Sequence, residues 1–230
     1  MSLAVTAVMP MRGNSLRVPG KNLRPLGGRP LFHHVLSSLL ACPEVAQVLV
    51  DTDSGELALA VQEHFPMVQI VRRPPHLAAA DTPMNDVLLH TCQHVDTPLV
   101  LQTHSTSPFL RPETFSRAVR LMREVHPAND SVFGVTRLQQ RLWTAELEPV
   151  NHDPRTLLPT QDLAPLFAEN SAMYLFSPTS LAVCRNRIGR RPVMFEVDSL
   201  EAIDIDTEAD FTLAEAVVAG LAAEQKRRAA

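Results

Sequence analysis

The chain has 230 residues, of which 45% are hydrophobic and 20% are charged, and its formal net charge at pH 7 is −4. This length and composition fit one large domain with a substantial core. The slightly negative net charge argues against nucleic acid or an anionic membrane as a partner, and no apolar run is long enough to be expected to span a membrane. Cys42, Cys92 and Cys184 are far apart and odd in number, so neither a disulfide framework nor a zinc cluster is indicated and a reducing cytoplasm is expected.

Apolar runs and helix-capping residues predict strands alternating with helices over residues 1–136. The predicted strands are the apolar run from Ala4 and residues 47–51, 68–71, 98–102 and 131–136. The predicted helices cover about 30–41, 54–64, 81–94 and 112–125, with Ser54, and Asp81 or Thr82, as N-caps. This alternation is typical of an α/β three-layer sandwich with a mostly parallel sheet covered on both faces. Ligands bind beyond the carboxyl ends of such strands, so the loops after the first, third and fourth strands are expected to form one crevice.

The periodicity is lost between about Arg137 and Ala168, where prolines at 149, 154, 159 and 165 interrupt every possible helix. We predict one domain over residues 1–230, with residues 137–169 as an arm that packs on a second subunit. A flexible insertion is the alternative. After the arm, strands are predicted at 170–176 and 193–197 and a final helix at about 207–223.

A loop that combines glycine with basic residues follows the first strand. It carries Arg12, Gly13, Asn14, Ser15, Arg17, Gly20 and Lys21. Glycine lets backbone N–H groups turn toward an anion, and cationic side chains neutralise phosphate charge, so we interpret the loop as a phosphate site. It is not a Walker A loop, because six residues separate its glycines and Lys21 is followed by Asn22. A solvated basic turn is the alternative.

A second candidate site lies near the carboxyl end of the chain, at Ala202-Ile-Asp-Ile-Asp206. A strand there would send Asp204 and Asp206 to the same face, where two like charges repel unless a cation lies between them. Carboxylate oxygens suit Mg²⁺, which completes its coordination with water and phosphate oxygens. The alternative is that the aspartates only precede the last helix, which Thr207 and Asp210 would cap; both readings can hold together. Asp51 and Asp53 show the same spacing, and Asp53 is interpreted as a helix N-terminal residue.

In combination these motifs resemble the acylneuraminate cytidylyltransferases, or CMP–sialic acid synthetases, over most of the chain. The resemblance is carried by Arg12-Gly-Asn-Ser, Pro19-Gly-Lys-Asn22, Arg73-Pro with Asp81-Thr82, Thr106-Ser-Pro108, Glu169-Asn-Ser-Ala-Met-Tyr174, and Ser199 with Ile203-Asp-Ile-Asp-Thr207.

The resemblance implies a fold of the nucleotide-diphospho-sugar transferase type and a homodimer formed through the arm. It implies an enzyme that couples CTP to a nine-carbon (or related) 2-keto sugar acid and releases a CMP-sugar and pyrophosphate. Arg12 and Lys21 are expected to hold the triphosphate and to be catalytic. The full set of expected nucleotide contacts is Arg12, Gly13, Asn14, Ser15, Lys21, Asn22, Arg73, Ala80, Asp81 and Thr82. The expected sugar contacts are His104, Gln102, Gln161 and Asn170, and Asp204 and Asp206 are expected to bind Mg²⁺.

The chain departs from the family pattern in three places. Leu16 stands where relatives usually carry lysine, so a phosphate contact is missing unless Arg17 replaces it. His104 replaces a glutamine that faces the sugar in relatives, and Gln102 is the alternative if the loop is shifted. The arm lacks an arginine pair that grips the sugar in relatives. It offers Arg155, Gln161 and Asp162 instead.

Two other functions are compatible with the motifs. A glycosyltransferase of related fold would use a preformed nucleotide-sugar, and the two Asp-x-Asp segments fit it, but it has less need of a triphosphate loop. An inactive nucleotide-binding homologue is the second, since Leu16 replaces a basic residue; the intact carboxylate pair argues against it.

Overall fold

A computed structural model of the chain describes residues 3–229. Its nine strands are β1 (Val5–Met11), β2 (Pro25–Leu26), β3 (Arg29–Pro30), β4 (Val45–Thr52), β5 (Gln69–Arg72), β6 (Leu99–Thr103), β7 (Ser131–Leu138), β8 (Leu166–Phe176) and β9 (Pro192–Glu196). The helices are α1 (Leu31–Ala41), α2 (Gly55–His64), α3 (Met84–Thr91), α4 (Pro112–Val125), α5 (Pro178–Cys184) and α6 (Glu208–Ala229).

Seven of the strands form one sheet in the order β5-β4-β1-β6-β8-β7-β9, and β2 and β3 form a separate small hairpin. The pairs β5–β4, β4–β1, β1–β6 and β7–β9 are parallel. Only β8 runs antiparallel to its neighbours, β6 and β7. Strand β1 is the point at which the order of the strands along the sheet switches sides, because β4 and β5 lie on one side of it and β6 lies on the other. A crevice beyond the carboxyl end of β1 is the usual ligand position in such a sheet.

Two apolar cores, one on each face of the sheet, create three layers. In β1, Val5, Ala7 and Met9 face one core, whereas Val8 faces the other, as the alternation of a strand requires. Helices α1, α2 and α4 cover the first core and helices α3 and α5 cover the second. The predicted α/β sandwich with a mostly parallel sheet is therefore confirmed.

A third, smaller apolar cluster joins two segments that are distant in sequence. Val18, in the loop after β1, and Leu26 and Leu31 pack against Ile205 and against Phe211 of α6, and all five are fully buried. Burial of this size contributes about 1.5–3 kcal/mol per large side chain relative to exposure. The cluster thus fixes the basic loop beside the residues that precede α6.

Several local predictions were wrong. Neither Asp81 nor Thr82 caps α3, because the helix begins at Met84, directly after Pro83, and no side chain caps it. Residues 203–206 are not a strand but a loop. Helix α5 was not predicted. By contrast, α4 has its predicted bounds, and the Ser54 hydroxyl accepts a hydrogen bond from the Leu57 N–H as the N-cap of α2.

The predicted arm is shorter than the residue range 137–169. Arg137 and Leu138 belong to β7 and residues 166–169 belong to β8, and the two strands pair here, with Arg137 opposite Phe167. Residues 139–165 form a long connection between β7 and β8 that is stabilised by hydrogen bonds within the segment. Asn151 Nδ2, for example, donates to the carbonyls of Gln140 and Ala164.

Among residues 3–229, no helix combines the length and the apolar character that a bilayer crossing requires.

Candidate active site

A cavity of about 550 Å³ opens where β1, β5 and β6 end. The loops after these three strands line it together with the segment before α6, so the predicted meeting of the loops is confirmed. The sequence-predicted residues that line it are Arg12, Asn14, Ser15, Lys21, Asn22, Arg73, Ala80, His104, Asp204 and Asp206.

The loop after β1 folds back so that Lys21 points toward the acidic segment. Gly20 takes a left-handed conformation (φ +63°), which favours glycine, and the Lys21 N–H closes a turn onto the Val18 carbonyl at 3.2 Å. Lys21 Nζ donates to the Ile205 carbonyl at 2.5 Å and lies 3.6 Å from Asp206 Oδ1. The two segments that the sequence analysis singled out, 184 residues apart, therefore meet in one site.

The basic side chains of this loop provide the positive side of the cavity. Burial lowers the pKa of Lys21, while the charges of Asp206 and Asp204 act in the opposite direction. Arg17 Nη2 lies 3.0 Å from Asp206 Oδ1, and Arg17 lines the cavity beside the exposed Leu16. Arg17 thus adds a second cationic side chain to this side of the cavity.

The acidic segment is held in place by backbone and apolar contacts. Although residues 203–206 are not in a strand, the Ile205 N–H donates to the Thr106 carbonyl at 2.9 Å, and the Ile205 side chain is buried. Residues 204–206 therefore alternate as the sequence indicated, with Ile205 buried between two cavity-lining aspartates, although they form a loop. Asp204 and Asp206 line the cavity on either side of a residue that anchors the segment.

Asp204 carries the observation that bears on a metal ion. Its Oδ1 atom is buried and has no hydrogen-bond partner among residues 3–229. Burial raises the pKa of this carboxyl and the charge of Asp206 acts in the same direction, while a hydrogen bond with Thr106 and the charge of Lys21 oppose the rise. An unpaired buried carboxylate oxygen beside a second carboxylate fits a divalent cation. No cluster of three or more His, Cys, Asp and Glu side chains suited to a metal occurs within residues 3–229, so the nucleotide and water would supply the other ligands.

The alternative reading of this stretch as a helix cap also holds. Asp210 accepts hydrogen bonds from the N–H groups of Asp206 and Thr207, and the Asp210 N–H donates to the Thr207 hydroxyl. The cap fixes the backbone at Asp206 without using the carboxylates of Asp204 and Asp206. The cap therefore leaves both carboxylates available to a metal ion.

The second Asp-x-Asp segment is used within the fold. Asp51 is fully buried and accepts from Arg73 Nε at 2.6 Å and from the Thr91 hydroxyl at 2.8 Å. Asp53 accepts from the Gly13 N–H at 2.8 Å rather than beginning a helix. Both carboxylates are thus engaged, and neither lines the cavity.

The expected nucleotide contact Asn22 is held by hydrogen bonds at both polar atoms of its amide. Its Nδ2 donates to the Arg12 carbonyl at 3.0 Å, and its Oδ1 accepts from the Ser105 hydroxyl at 2.6 Å. Asn22 therefore joins the loops after β1 and β6. Arg12 extends this frame, because its Nη1 donates to the Ala79 carbonyl in the loop after β5 at 3.3 Å.

Six of the expected contacts do not line the cavity: Gly13, Asp81, Thr82, Gln102, Gln161 and Asn170. The backbone N–H of Gly13 is already donated to Asp53, and a side chain at this position would meet Ser54 Cβ at 2.7 Å. Gln102 is buried under His104, and Gln161 lies in a short 3₁₀ helix of the 139–165 segment. Asn170 Nδ2 donates to the Thr136 hydroxyl at 3.0 Å.

Sequence reasoning missed Arg187, which follows α5. Its Nη1 donates to Gln102 Oε1 at 2.8 Å, and its guanidinium lies 3.6 Å from the centre of the Tyr174 ring. The residue belongs to an arginine-rich run, residues 185–191, that carries no recognisable motif. The antiparallel pairing of β8 with β6, which the sequence did not predict, places Tyr174 opposite Gln102, and Arg187 stacks on the Tyr174 ring.

A crevice at the carboxyl ends of parallel strands, with a basic loop opposite an acid pair, is compatible with a nucleotide-dependent transferase. A family model described as Cytidylyltransferase matches residues 6–228, and the chain belongs to this family of enzymes.

Named relatives agree with this assignment, and a solved structure shares the fold. The CMP-N,N'-diacetyllegionaminic acid synthase of Legionella pneumophila is 28% identical over 93% of this chain and 95% of its own length. N-acylneuraminate cytidylyltransferase A of Danio rerio is 26% identical over 92% of this chain, which spans 50% of that longer protein. A structure of CMP:2-keto-3-deoxy-manno-octonic acid synthetase complexed with CTP shares the fold with a TM-score of 0.70, 18% identity, and coverage of 94% of this chain and 99% of that one.

Proposed function

We propose that the chain couples CTP to a sialic-acid-like 2-keto sugar acid and releases a CMP-sugar and pyrophosphate. The observation that carries this proposal is that the basic loop and the acid pair line the same cavity, where Lys21 Nζ lies 3.6 Å from Asp206 Oδ1. Relatives named for CMP-linked legionaminic and acylneuraminic acids, matched over more than nine-tenths of this chain, support the choice of substrates.

In this reaction the anomeric hydroxyl of the sugar acid attacks the α-phosphorus of CTP in line with the departing pyrophosphate. The protein forms no covalent intermediate, so its contribution is position and charge neutralisation. Arg12 and Lys21 would neutralise the triphosphate, and Arg17 would supply the charge that Leu16 lacks. The nucleotide would lie against Asn14, Ser15, Asn22, Arg73 and Ala80, all of which line the cavity.

Asp204 and Asp206 would hold Mg²⁺. When bound there, the ion would offset phosphate charge and make the α-phosphorus a better electrophile. Arg17 and Lys21 now pair with Asp206, and these pairs keep the acid stretch ordered beside the basic loop.

The sugar acid would lie on the side of the cavity formed by His104 and Ser171. His104 directly follows β6 and Ser171 belongs to β8, and these two strands are neighbours in the sheet. Gln102 does not line the cavity and would act through its hydrogen bond with His104. Gln161 and Asn170 do not line the cavity either.

A substrate screen tests this function. Pyrophosphate release is measured with CTP and Mg²⁺ fixed and the acid varied among neuraminic, deaminoneuraminic, legionaminic, pseudaminic and 3-deoxy-manno-octulosonic acids. We expect release with at least one nine-carbon acid and only with CTP among the nucleoside triphosphates. Release with none of the acids, together with tighter binding of a UDP- or GDP-sugar than of CTP, would instead favour the glycosyltransferase function.

We also propose that the 139–165 segment and the adjoining start of β8 form a homodimer interface. Among the described residues this stretch exposes a series of large apolar side chains: Trp143, Leu147, Val150, Leu157, Leu158 and Phe167. Its internal hydrogen bonds, such as Arg141 Nη2 to the Leu158 carbonyl at 2.5 Å, give it a defined shape. A shaped apolar patch of this kind is typical of a protein–protein interface.

The interface has a direct test in solution. The double substitution Leu147→Asp and Leu157→Asp is expected to convert the dimer to a monomer, because it places two charges in the apolar contact. The control is Leu59→Asp on the outer face of α2, where leucine is also mostly exposed. Sedimentation equilibrium measures the mass. A wild-type monomer, or a double variant that remains a dimer, would contradict the proposal.

A further inference from the structure

Below the floor of the cavity, one buried glutamine connects an arginine to the histidine that faces the substrate space. Gln102 Oε1 accepts from Arg187 Nη1 at 2.8 Å. Gln102 Nε2 lies 2.9 Å from His104 Nε2 and 3.3 Å from the Thr103 carbonyl. Gln102 is fully buried, so every polar atom of its amide depends on these contacts.

The chemistry of the partners fixes the direction of each hydrogen bond. Arginine has only donors, so the amide atom that faces Arg187 must be the oxygen. The amide nitrogen is then directed at His104 Nε2 and donates to it. A neutral imidazole that accepts through Nε2 carries its proton on Nδ1.

Arg187 is itself held from two sides. Its guanidinium stacks on the Tyr174 ring, and the Tyr174 hydroxyl donates to Glu169. Its backbone N–H donates to Asn85 Oδ1 at 3.2 Å, which ties the segment after α5 to the first turn of α3. The guanidinium therefore has a fixed position from which to orient the amide of Gln102.

We propose that Arg187 is a positioning residue that, through Gln102, holds His104 as a neutral Nδ1–H donor toward an acceptor oxygen of the sugar acid. The assignment of that oxygen to a sugar acid rests on the proposed function. The tautomer itself rests only on the contacts of Gln102. A donor at this position selects substrates that present a hydroxyl, carbonyl or carboxylate oxygen to it, and disfavours those that present only a donor or an apolar group.

The surroundings of His104 agree with a neutral ring. Burial lowers the pKa of His104 to about 3, and the positive charges of Arg187 and Lys21 act in the same direction. His104 lines the cavity. Within residues 3–229, Nε2 is the ring atom that makes a hydrogen bond, which leaves the Nδ1–H for a ligand.

Nitrogen-15 NMR of the histidine rings in the intact, ligand-free protein tests the tautomer, with His104→Gln used to assign the signal. In the wild type we expect Nδ1 to be protonated and Nε2 to be unprotonated near neutral pH. Arg187→Met removes the donor but keeps the apolar stem, so the amide of Gln102 loses its fixed orientation and the other tautomer becomes populated. Arg185→Met is the matched control, because this exposed arginine in the same segment pairs with Asp86 and, in the described part of the chain, makes no contact with Gln102 or His104, so it should leave the His104 spectrum unchanged. A wild-type ring with its proton on Nε2 or on both nitrogens, or an Arg187→Met spectrum equal to the wild type, would overturn the proposal.

Kinetics separate this role from a structural one. With CTP and the best acid of the screen, Arg187→Met is expected to raise the KM for the sugar acid about tenfold, as loss of one oriented hydrogen bond predicts, with the KM for CTP unchanged. Arg187→Lys, which keeps a charged donor, should recover part of the loss and remains informative if Arg187→Met does not fold. Equal effects on both KM values, or no rescue by lysine, would contradict positioning. If no acid is a substrate, the proposed function fails while the NMR result still decides the tautomer.

Discussion

Asp204→Asn is expected to lower kcat/KM by about a hundredfold to a thousandfold, the range found when a group that stabilises transition-state charge is removed. The substitution keeps the shape of the side chain but removes the charge that would bind Mg²⁺. The measurement is pyrophosphate release with CTP and the best sugar acid, at saturating Mg²⁺. Asp206→Asn should show a similar loss.

The same substitution should not destabilise the ligand-free protein. Burial raises the pKa of Asp204 above its ordinary value of 3.8, so the folded state binds this proton more tightly than the unfolded state. Stability that depends on the proton is therefore lost as pH rises from about 3.8 through the raised pKa. A neutral asparagine avoids this loss at neutral pH. We expect urea unfolding to show equal or greater stability for the variant, which separates lost activity from lost folding.

Asp53→Asn is the matched control, since Asp53 belongs to the other Asp-x-Asp segment. Asparagine can still accept the hydrogen bond of the Gly13 N–H, so the activity should fall by less than about fivefold. A large loss of activity in Asp53→Asn together with a small loss in Asp204→Asn would indicate that the metal binds at Asp51 and Asp53, which would contradict the proposed site.

Asp51→Ala is expected to lower the free energy of unfolding by about 3–5 kcal/mol, the cost of leaving one partner of a buried ion pair without its counter-charge. The side chain of Arg73 is 3% exposed and that of Asp51 is fully buried, so solvent cannot replace the lost carboxylate. The Thr91 hydroxyl loses an acceptor at the same time. Urea unfolding monitored by circular dichroism measures the change.

Two further variants make this result specific. Asp153→Ala removes one partner of an exposed ion pair with Arg155 and should leave the unfolding midpoint unchanged. Asp51→Leu combined with Arg73→Met removes both charges and should recover most of the lost stability. If the double variant were as unstable as Asp51→Ala, the unpaired guanidinium would not be the cause.

The residues that could be predicted from sequence are those whose chemistry is local. The loop from Arg12 to Lys21 is recognisable because glycine, proline and basic residues follow a buried strand. The cap of Asp210 on Thr207 depends on a fixed spacing of three residues. The meeting of the loops after the first, third and fourth predicted strands followed from the expected position of ligands at the carboxyl ends of parallel strands. The meeting of the basic loop with Asp204 and Asp206 was implied by the family resemblance.

What could not be predicted depends on long-range packing. Asp204 and Asp206 point into the cavity although their segment forms no strand, because the Ile205 N–H pairs with the Thr106 carbonyl. The antiparallel insertion of β8 between β6 and β7 has no local signature, yet it decides which residues surround His104. Arg187 contacts Gln102 and Tyr174 beneath the cavity, and because these contacts depend on how the strands are arranged, no motif could have identified it.

Anomalous diffraction from crystals grown with CTP and Mn²⁺ in place of Mg²⁺ would locate metal and nucleotide in one experiment. We expect a manganese peak in contact with carboxylate oxygens of both Asp204 and Asp206, with the triphosphate between that peak and the side chains of Arg12 and Lys21. Manganese bound at Asp51 and Asp53, or a triphosphate that lies outside the cavity, would contradict the shared site on which the proposed chemistry depends.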